Sequence, residues 1–322
     1  MATKVPKFSS SYRAVSGPAY DRCAFLAERH PSKVESFRPR VDESIVVVVS
    51  PEKQPGKIHV NLVDISNGVH CGLWMSPEET LFVATRQDRV LRLPKAFRPR
   101  LTYKDYVVDE IRSTLSDVWG LSADFVLTWG IRGVGEAQEY PVFRFDGKKW
   151  KEIPSPKFDI YAMHGLSPDL VYAVGDGAIA VWNGAKWKRV PAPVEQYTSV
   201  FVASPTEVYA VGRTQALVVE GGPKGFKTIA ALDVPLGLDA VTKWKGDLWV
   251  GAESAGLFKR VVKTKKFELV HKGVRASSFD VRDSFVMSCP TAIATTLNGK
   301  DFLASARDAV LDIRGAKPLH KT

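Results

Sequence analysis

The sequence predicts an all-β protein, a seven-bladed β-propeller of four-stranded antiparallel blades, with a six-bladed ring as the fallback. Three observations carry the prediction. The segments VWGLSADFVLTWG (118–130), MHGLSPDLVYAVG (163–175) and VFVASPTEVYAVG (200–212) align without gaps. Relatives occur at 72–85, 241–251 and 278–288, so the copies end at 85, 130, 175, 212, 251 and 288, steps of 45, 45, 37, 39 and 37. A period near 40 built from strand-like units is what propeller blades require. The third observation is a hairpin signal downstream of the repeat, FDGKKW (145–150), WNGAKW (182–187) and LNGKDF (297–302).

Taken in chain order, each repeat reads as strand A, a Ser-Pro turn, strand B, strand C, an Asx-Gly hairpin and strand D. Runs such as VYAVG and LWVG alternate β-branched or aromatic residues with small ones, which suits a pleated, packed surface. Pro fixes φ in the turn while the Ser hydroxyl can bond nearby backbone. Asp-Gly and Asn-Gly are expected to form type I′ turns, whose two central residues both have positive φ. Residues 69–304 supply six blades. Strands at 22–29, 44–50 and 57–64 supply three quarters of a seventh, which the run AVLDI (309–313) is expected to complete as its inner strand. The reading is one domain over 1–322, with 1–20 and 317–322 loose or draped on the surface. Seven of the eight tryptophans, Trp119, Trp129, Trp150, Trp182, Trp187, Trp244 and Trp249, recur at blade positions and read as packing between sheets.

The motifs W-G-L-S-x-D, V-Y-A-V-G and W-N-G-x-x-W resemble those of bacterial seven-bladed propellers of the broad YVTN, BNR-like and WD-repeat superfamily. The resemblance covers 69–304 and implies the fold; propellers host many unrelated activities. The chain lacks the Gly-His and Trp-Asp dipeptides of WD repeats, and Gly147 directly after Asp146 departs from the sialidase Asp-box order.

Composition bounds the function. The chain has 322 residues, 45 Lys plus Arg against 35 Asp plus Glu, a formal charge of +10 and 45% apolar residues, an ordinary globular balance. No apolar run approaches the ~18 residues of a membrane span. The start, MATKVPKFSS, lacks an apolar signal segment, so a cytoplasmic location is expected. Cys23, Cys71 and Cys289 are far apart and read as reduced thiols, with no disulfide, metal site or cofactor expected.

There is no nucleophile elbow, Walker loop or dinucleotide fingerprint, so no catalytic residue is assigned. Arg132-Gly133-Val134-Gly135 lies in an insertion (131–140) and reads as a flexible connection. His164, in an inner strand, reads first as a hydrogen-bonded structural histidine where other copies carry Trp119 or Phe201. The candidate partner- or ligand-binding surface is Arg132, Asp159, Tyr161, His164, Tyr197, Arg213, Asp239 and Glu253, on loops and inner-strand starts near the channel mouth. Lys148, Lys149, Lys186, Lys224, Lys265, Lys266 and Lys300 recur at the C–D hairpins and predict a basic rim on one face, with acidic D–A connections opposite. Lysine at such turns also blocks edge-to-edge aggregation, and without interleaved aromatics it does not favour nucleic acid. The reading is a non-catalytic interaction module for a protein partner, otherwise monomeric, an immunity-type inhibitor being one form of it. The alternatives are a hydrolase or lyase with its site at the channel mouth, and a polyanion binder working through the basic rim.

Overall fold

The computed structural model describes residues 8–31, 43–52, 58–66, 69–98, 101 and 105–304. Its 28 strands form seven four-stranded antiparallel sheets, each from strands consecutive in the chain, so the fold is the seven-bladed β-propeller. Blade 1 is β1 (Phe8–Ala19), β2 (Arg22–Pro31), β3 (Glu43–Pro51) and β4 (Ile58–Ser66). Blade 2 is β5 (His70–Met75), β6 (Leu81–Thr85), β7 (Arg89–Leu93) and β8 (Val107–Glu110). Blade 3 is β9 (Thr114–Ser122), β10 (Phe125–Ile131), β11 (Val142–Phe145) and β12 (Trp150–Ile153). Blade 4 is β13 (Ile160–Ser167), β14 (Leu170–Gly175), β15 (Ala178–Trp182) and β16 (Trp187–Val190). Blade 5 is β17 (Tyr197–Ser204), β18 (Glu207–Gly212), β19 (Leu217–Gly222) and β20 (Gly225–Ala231). Blade 6 is β21 (Ala240–Trp244), β22 (Asp247–Ala252), β23 (Gly256–Arg260) and β24 (Phe267–His271). Blade 7 is β25 (Ser278–Val281), β26 (Phe285–Cys289), β27 (Ala292–Thr296) and β28 (Leu303–Ala304). Helix among the described residues amounts to short 3₁₀ turns such as Gly135–Ala137, and no helix is long and apolar enough to cross a membrane.

The core is divided among the blade interfaces. Phe125, Leu127 and Trp129 of blade 3 pack on Met163, Val171 and Ala173 of blade 4, and Tyr172 and Val174 of blade 4 pack on Val200, Val208 and Ala210 of blade 5. Successive side chains of a strand point to opposite faces, so one strand serves both neighbouring interfaces. Middle strands are accordingly buried throughout, as β6 and β15 are, while outer strands such as β8 are exposed. The same arrangement closes the ring: Tyr12, Val15, Phe25 and Val47 of blade 1 share a cluster with Val286 and Ile293 of blade 7.

The closing blade differs from the sequence reading. Phe8–Ala19, expected to be loose, is a strand and takes the inner place assigned to 309–313. Residues 309–313 and 317–322 lie outside the described residues. The physical reason is that Tyr12 and Val15 bury apolar surface against blade 7, while polar bonds hold the seam. Ser16 Oγ donates to Asp280 Oδ2 (2.8 Å), as does the Gly17 N–H (2.9 Å), and Ser284 N donates to the Pro18 carbonyl (3.1 Å).

The Asx-Gly turns also differ in type. Gly147, Gly184 and Gly299 have φ of 86°, 89° and 73°, but the Asx residue before each does not have positive φ. In the first two, four residues separate the last paired positions, Phe145 with Trp150 and Trp182 with Trp187. The Asx side chain closes each loop: Asp146 Oδ1 accepts from the N–H groups of Lys148 and Lys149, Asn183 from Ala185 and Lys186, and Asn298 from Lys300 and Asp301. The residue pair is thus selected by side-chain capping plus one left-handed glycine, not by a two-residue turn.

Candidate functional site

The inner strands β1, β5, β9, β13, β17, β21 and β25 surround a central cavity of about 700 Å³. All start at one face, which carries the D–A and B–C connections. Cys71, Tyr161, Thr198, Asp239 and Ser277 stand near this mouth, while Leu121, Lys245 and Arg282 stand toward the opposite end.

Three expected residues meet at the mouth between blades 5 and 6. Asp239 Oδ1 accepts from Arg213 Nη2 (2.9 Å), and Oδ2 accepts from the Glu253 N–H (2.8 Å). Two more stand at the neighbouring rim. Tyr161 Oη accepts from Gln196 Nε2 (3.2 Å), and its pKa is raised by burial and then by Asp159 and Asp176. Burial, with Asp176 beside it, also raises the Asp159 carboxyl above the usual range. Between these groups Glu195 is buried, its carboxylate accepting from the N–H groups of Gln196 (2.7 Å), Thr214 (2.7 Å) and Gln215 (2.9 Å). Gly212 permits this, because a Cβ there would stand 2.0 Å from Glu195 Cγ. The result is a D–A connection pinned to the B–C turn of the next blade.

His164 lies deeper, on the cavity wall. Its ring sits between Trp119 and Phe201, with centroids 5.6 and 4.7 Å away, and Nδ1 accepts the Val202 N–H (3.1 Å). An accepting Nδ1 leaves the hydrogen on Nε2. Burial lowers the pKa to about 4, so the ring is neutral near pH 7 and offers the cavity a donor rather than a base.

Two expected residues are elsewhere. Tyr197 is fully buried between blades 4 and 5, its hydroxyl donating to the Pro193 carbonyl (2.6 Å), so it is core and not a ligand-facing group. A position next to a strand start does not tell which way the side chain points; the pleat turns this one inward. Arg132 lines a separate pocket of about 400 Å³ beside the blade 3 insertion, where it pairs with Glu139 (2.7 Å) and Glu152 (3.0 Å), both of which raise its pKa. The rim lysines are all exposed in the C–D loops, on the face opposite the mouth.

Sequence reading missed Asp117, on the cavity wall in β9. Burial raises its pKa to about 7, opposed by the Val118 N–H donating to Oδ1 (2.8 Å). Its carboxylate sits against Gly72 of the preceding blade, where a Cβ would stand 1.7 Å from Oδ1. Beside it the Cys71 thiol donates to the Leu115 carbonyl (3.3 Å) and is pushed up to about 12 by burial and by Asp117. The repeat held the signal: its copies place Ala162, Ser199 and Ala240 where Asp117 stands, and strand register adds Gly72, all small and uncharged. Among the described residues no group of three or more His, Cys, Asp or Glu side chains is placed to hold a metal ion.

No family model and no curated protein matches the chain. Solved structures do. Virginiamycin B lyase from Staphylococcus aureus is 11% identical with a TM-score of 0.62, covering 92% of this chain and 97% of that one. The WD40 β-propeller domain of Doa1 is 9% identical with a TM-score of 0.61, covering 89% and 92%. YCF48 bound to a D1 peptide is 11% identical with a TM-score of 0.53, covering 77% and 82%. The likeness is one of fold, shared by a lyase, a WD40 domain and a peptide-bound protein alike.

Proposed function

We propose that this protein is a non-catalytic interaction module that binds a protein partner through the mouth face of its propeller. The observation that carries the reading is that the acid–base groups expected at the mouth are already paired, while the one unpaired carboxylate of the cavity wall, Asp117, has only the neutral Cys71 thiol beside it. Both Asp239 oxygens are occupied, Arg213 is paired with Asp239, and His164 spends its lone pair on backbone. A general base needs a free lone pair within reach of its substrate proton, which His164 lacks, and Asp239 is held in an ion pair with Arg213. This weighs against the hydrolase or lyase reading.

The mouth face suits docking instead. Val194 and Leu236, 80% and 69% exposed, stand on successive D–A connections at either side of Arg213. Both connections are held: Glu195 anchors one, and Gly237 lies so close to Arg213 that a Cβ would stand 2.3 Å from its carbonyl oxygen. Rigid apolar anchors limit the ordering cost of association. Asp159, Asp176, Asp233 and Glu253 lie on connections of the same face, so the partner surface that fits is basic with apolar recesses. Peptide binding by the similarly folded YCF48 accords with this use of the fold.

The test is affinity capture with wild-type protein, with Val194→Arg plus Leu236→Arg, and with Lys148→Glu plus Lys149→Glu on the opposite face. The reading expects one protein captured stoichiometrically at low and high salt, lost about tenfold or more with the mouth variant and kept with the rim variant. Capture of nucleic acid that disappears at high salt and with the rim variant would favour the polyanion reading instead.

A further inference from the structure

The cavity wall carries seven charged side chains, and six of them have partners among the described residues. Arg13 pairs with Glu28, Asp239 with Arg213, and Lys243 with Glu207. Asp280 pairs with Arg282 (3.0 Å), and Lys245 bonds the Leu297 carbonyl and lies over the Trp244 ring. Asp117 is the exception. Its carboxylate accepts the N–H of its own neighbour Val118, and no ion pair holds it among the described residues. Asp117 is half-buried on the cavity wall, where an ionised carboxylate that is poorly solvated and lacks a cation is costly, and the other repeats avoid the cost with Gly, Ala or Ser.

We propose that the central channel is a binding site for an organic monocation, an alkylammonium or guanidinium group on an apolar body, with Asp117 as its counter-charge. The chemistry of the wall selects this class. Trp74, Trp119, Phe201 and Phe279 line the same cavity, and organic cations favour aromatic surroundings. A hard metal ion needs about six oxygen ligands, and the surroundings of Asp117 supply a thiol, a glycine backbone and aromatic rings. Lys245, toward the far end, has no acidic partner and disfavours a second positive charge there, which suits a ligand with one. A cavity of about 700 Å³ accommodates a molecule of drug-like size. The site is separate from the partner-docking residues Val194 and Leu236, so either reading can fail without the other.

The experiment titrates the full-length protein with phenylguanidine, phenethylamine and the uncharged phenethyl alcohol, followed by calorimetry and tryptophan fluorescence at pH 8. A second arm uses an acetylated, amidated Phe-Arg dipeptide, to separate a free small molecule from the side chain of a polypeptide. Asp117→Asn and Asp117→Ser, the latter the residue of an equivalent repeat position, are compared with wild type after thermal unfolding shows both folded. Saturable binding of a cationic probe, at least about tenfold tighter than the alcohol and weakened about tenfold or more in both variants, is the expected result. Binding by the dipeptide alone assigns the site to an inserted side chain, and binding by the free probes assigns it to a small molecule. Equal binding by variants and wild type, equal binding of the alcohol, or no saturation by any probe overturns the proposal.

Discussion

At the scale of single residues, Asp117 and His164 pull stability in opposite directions with pH. The Asp117 pKa rises from 3.8 to about 7 in the fold, so the folded state holds its proton more tightly than the unfolded one. Stability is therefore lost as pH rises from about 4 to 7 and stays flat above, each unit between the two pKa values being worth about 1.4 kcal/mol. The charged and titratable groups near it do not cancel this: Cys71 stays neutral, Arg86 acts weakly on that thiol, and Tyr161 and His164 of the next blade are uncharged near pH 7. Asp117→Asn is thus expected to be more stable than wild type at pH 8 by on the order of 2–4 kcal/mol, and nearly equal to it at pH 4. Denaturation at both pH values checks it, and a constant difference refutes it. His164 has the reverse sign: its pKa falls from 6.5 to about 4, so stability present above 6.5 is lost as pH drops toward 4. His164→Phe, matching Phe201, should flatten that acid limb while costing about 1–3 kcal/mol at pH 8 for the orphaned Val202 N–H. Unfolding curves between pH 4 and 8 read both effects. His164 was legible as a structural histidine because its repeat equivalents are aromatic. Asp117 was not, since a search for known constellations passes over a lone carboxylate whose meaning lies in the glycine one blade away.

At the scale of elements, the strands were legible and the connections less so. Alternation and Ser-Pro turns placed six blades because each strand buries both faces against neighbours of the same kind, leaving a strong apolar signal. Loops carry no such period. Asp146, Asn183 and Asn298 announced hairpins but not their geometry, since a side chain capping two N–H groups and a type I′ turn use the same letters. Glu195 shows the same limit: an acidic residue in a D–A connection reads as surface charge, and its carboxylate is in fact the buried clamp of two connections. Glu195→Ala is expected to lower stability by on the order of 2–4 kcal/mol, since several buried N–H groups lose their acceptor together. Glu195→Gln should recover part of it by keeping one acceptor oxygen. Hydrogen exchange should rise at Thr214 and Gln215 in the alanine variant; unchanged protection there would refute the clamp.

At the scale of the whole molecule, the question is what keeps the ring closed. Each described blade comes from consecutive strands, so no described strand crosses the seam between blades 1 and 7. Closure then rests on the apolar cluster of Tyr12, Val15, Val286 and Ile293 and on the polar clasp beside it. Arg282 is the centre of that clasp, since it reaches Asp280 in its own blade and the carbonyls of Met75 and Ser76 in blade 2, across the inner strand of blade 1. Asp280 in turn holds Ser16 and Gly17. One arginine therefore ties three blades, and it does so where the chain offers no covalent continuity. In a ring of nearest-neighbour interfaces, weakening one seam should loosen its two flanking blades before the others. Arg282→Ala is expected to leave Asp280 without its cation and two carbonyls without this donor, and to lower stability by on the order of 3 kcal/mol. Peptide-level hydrogen exchange should then rise in β1 and β25 while β14 and β18, on the far side of the ring, keep wild-type protection. Arg189→Ala on the exposed edge of blade 4 serves as the comparison, with little change expected. Uniform loss of protection around the ring in Arg282→Ala would mean that the seam is no weaker than the other interfaces, and that apolar packing alone closes the propeller.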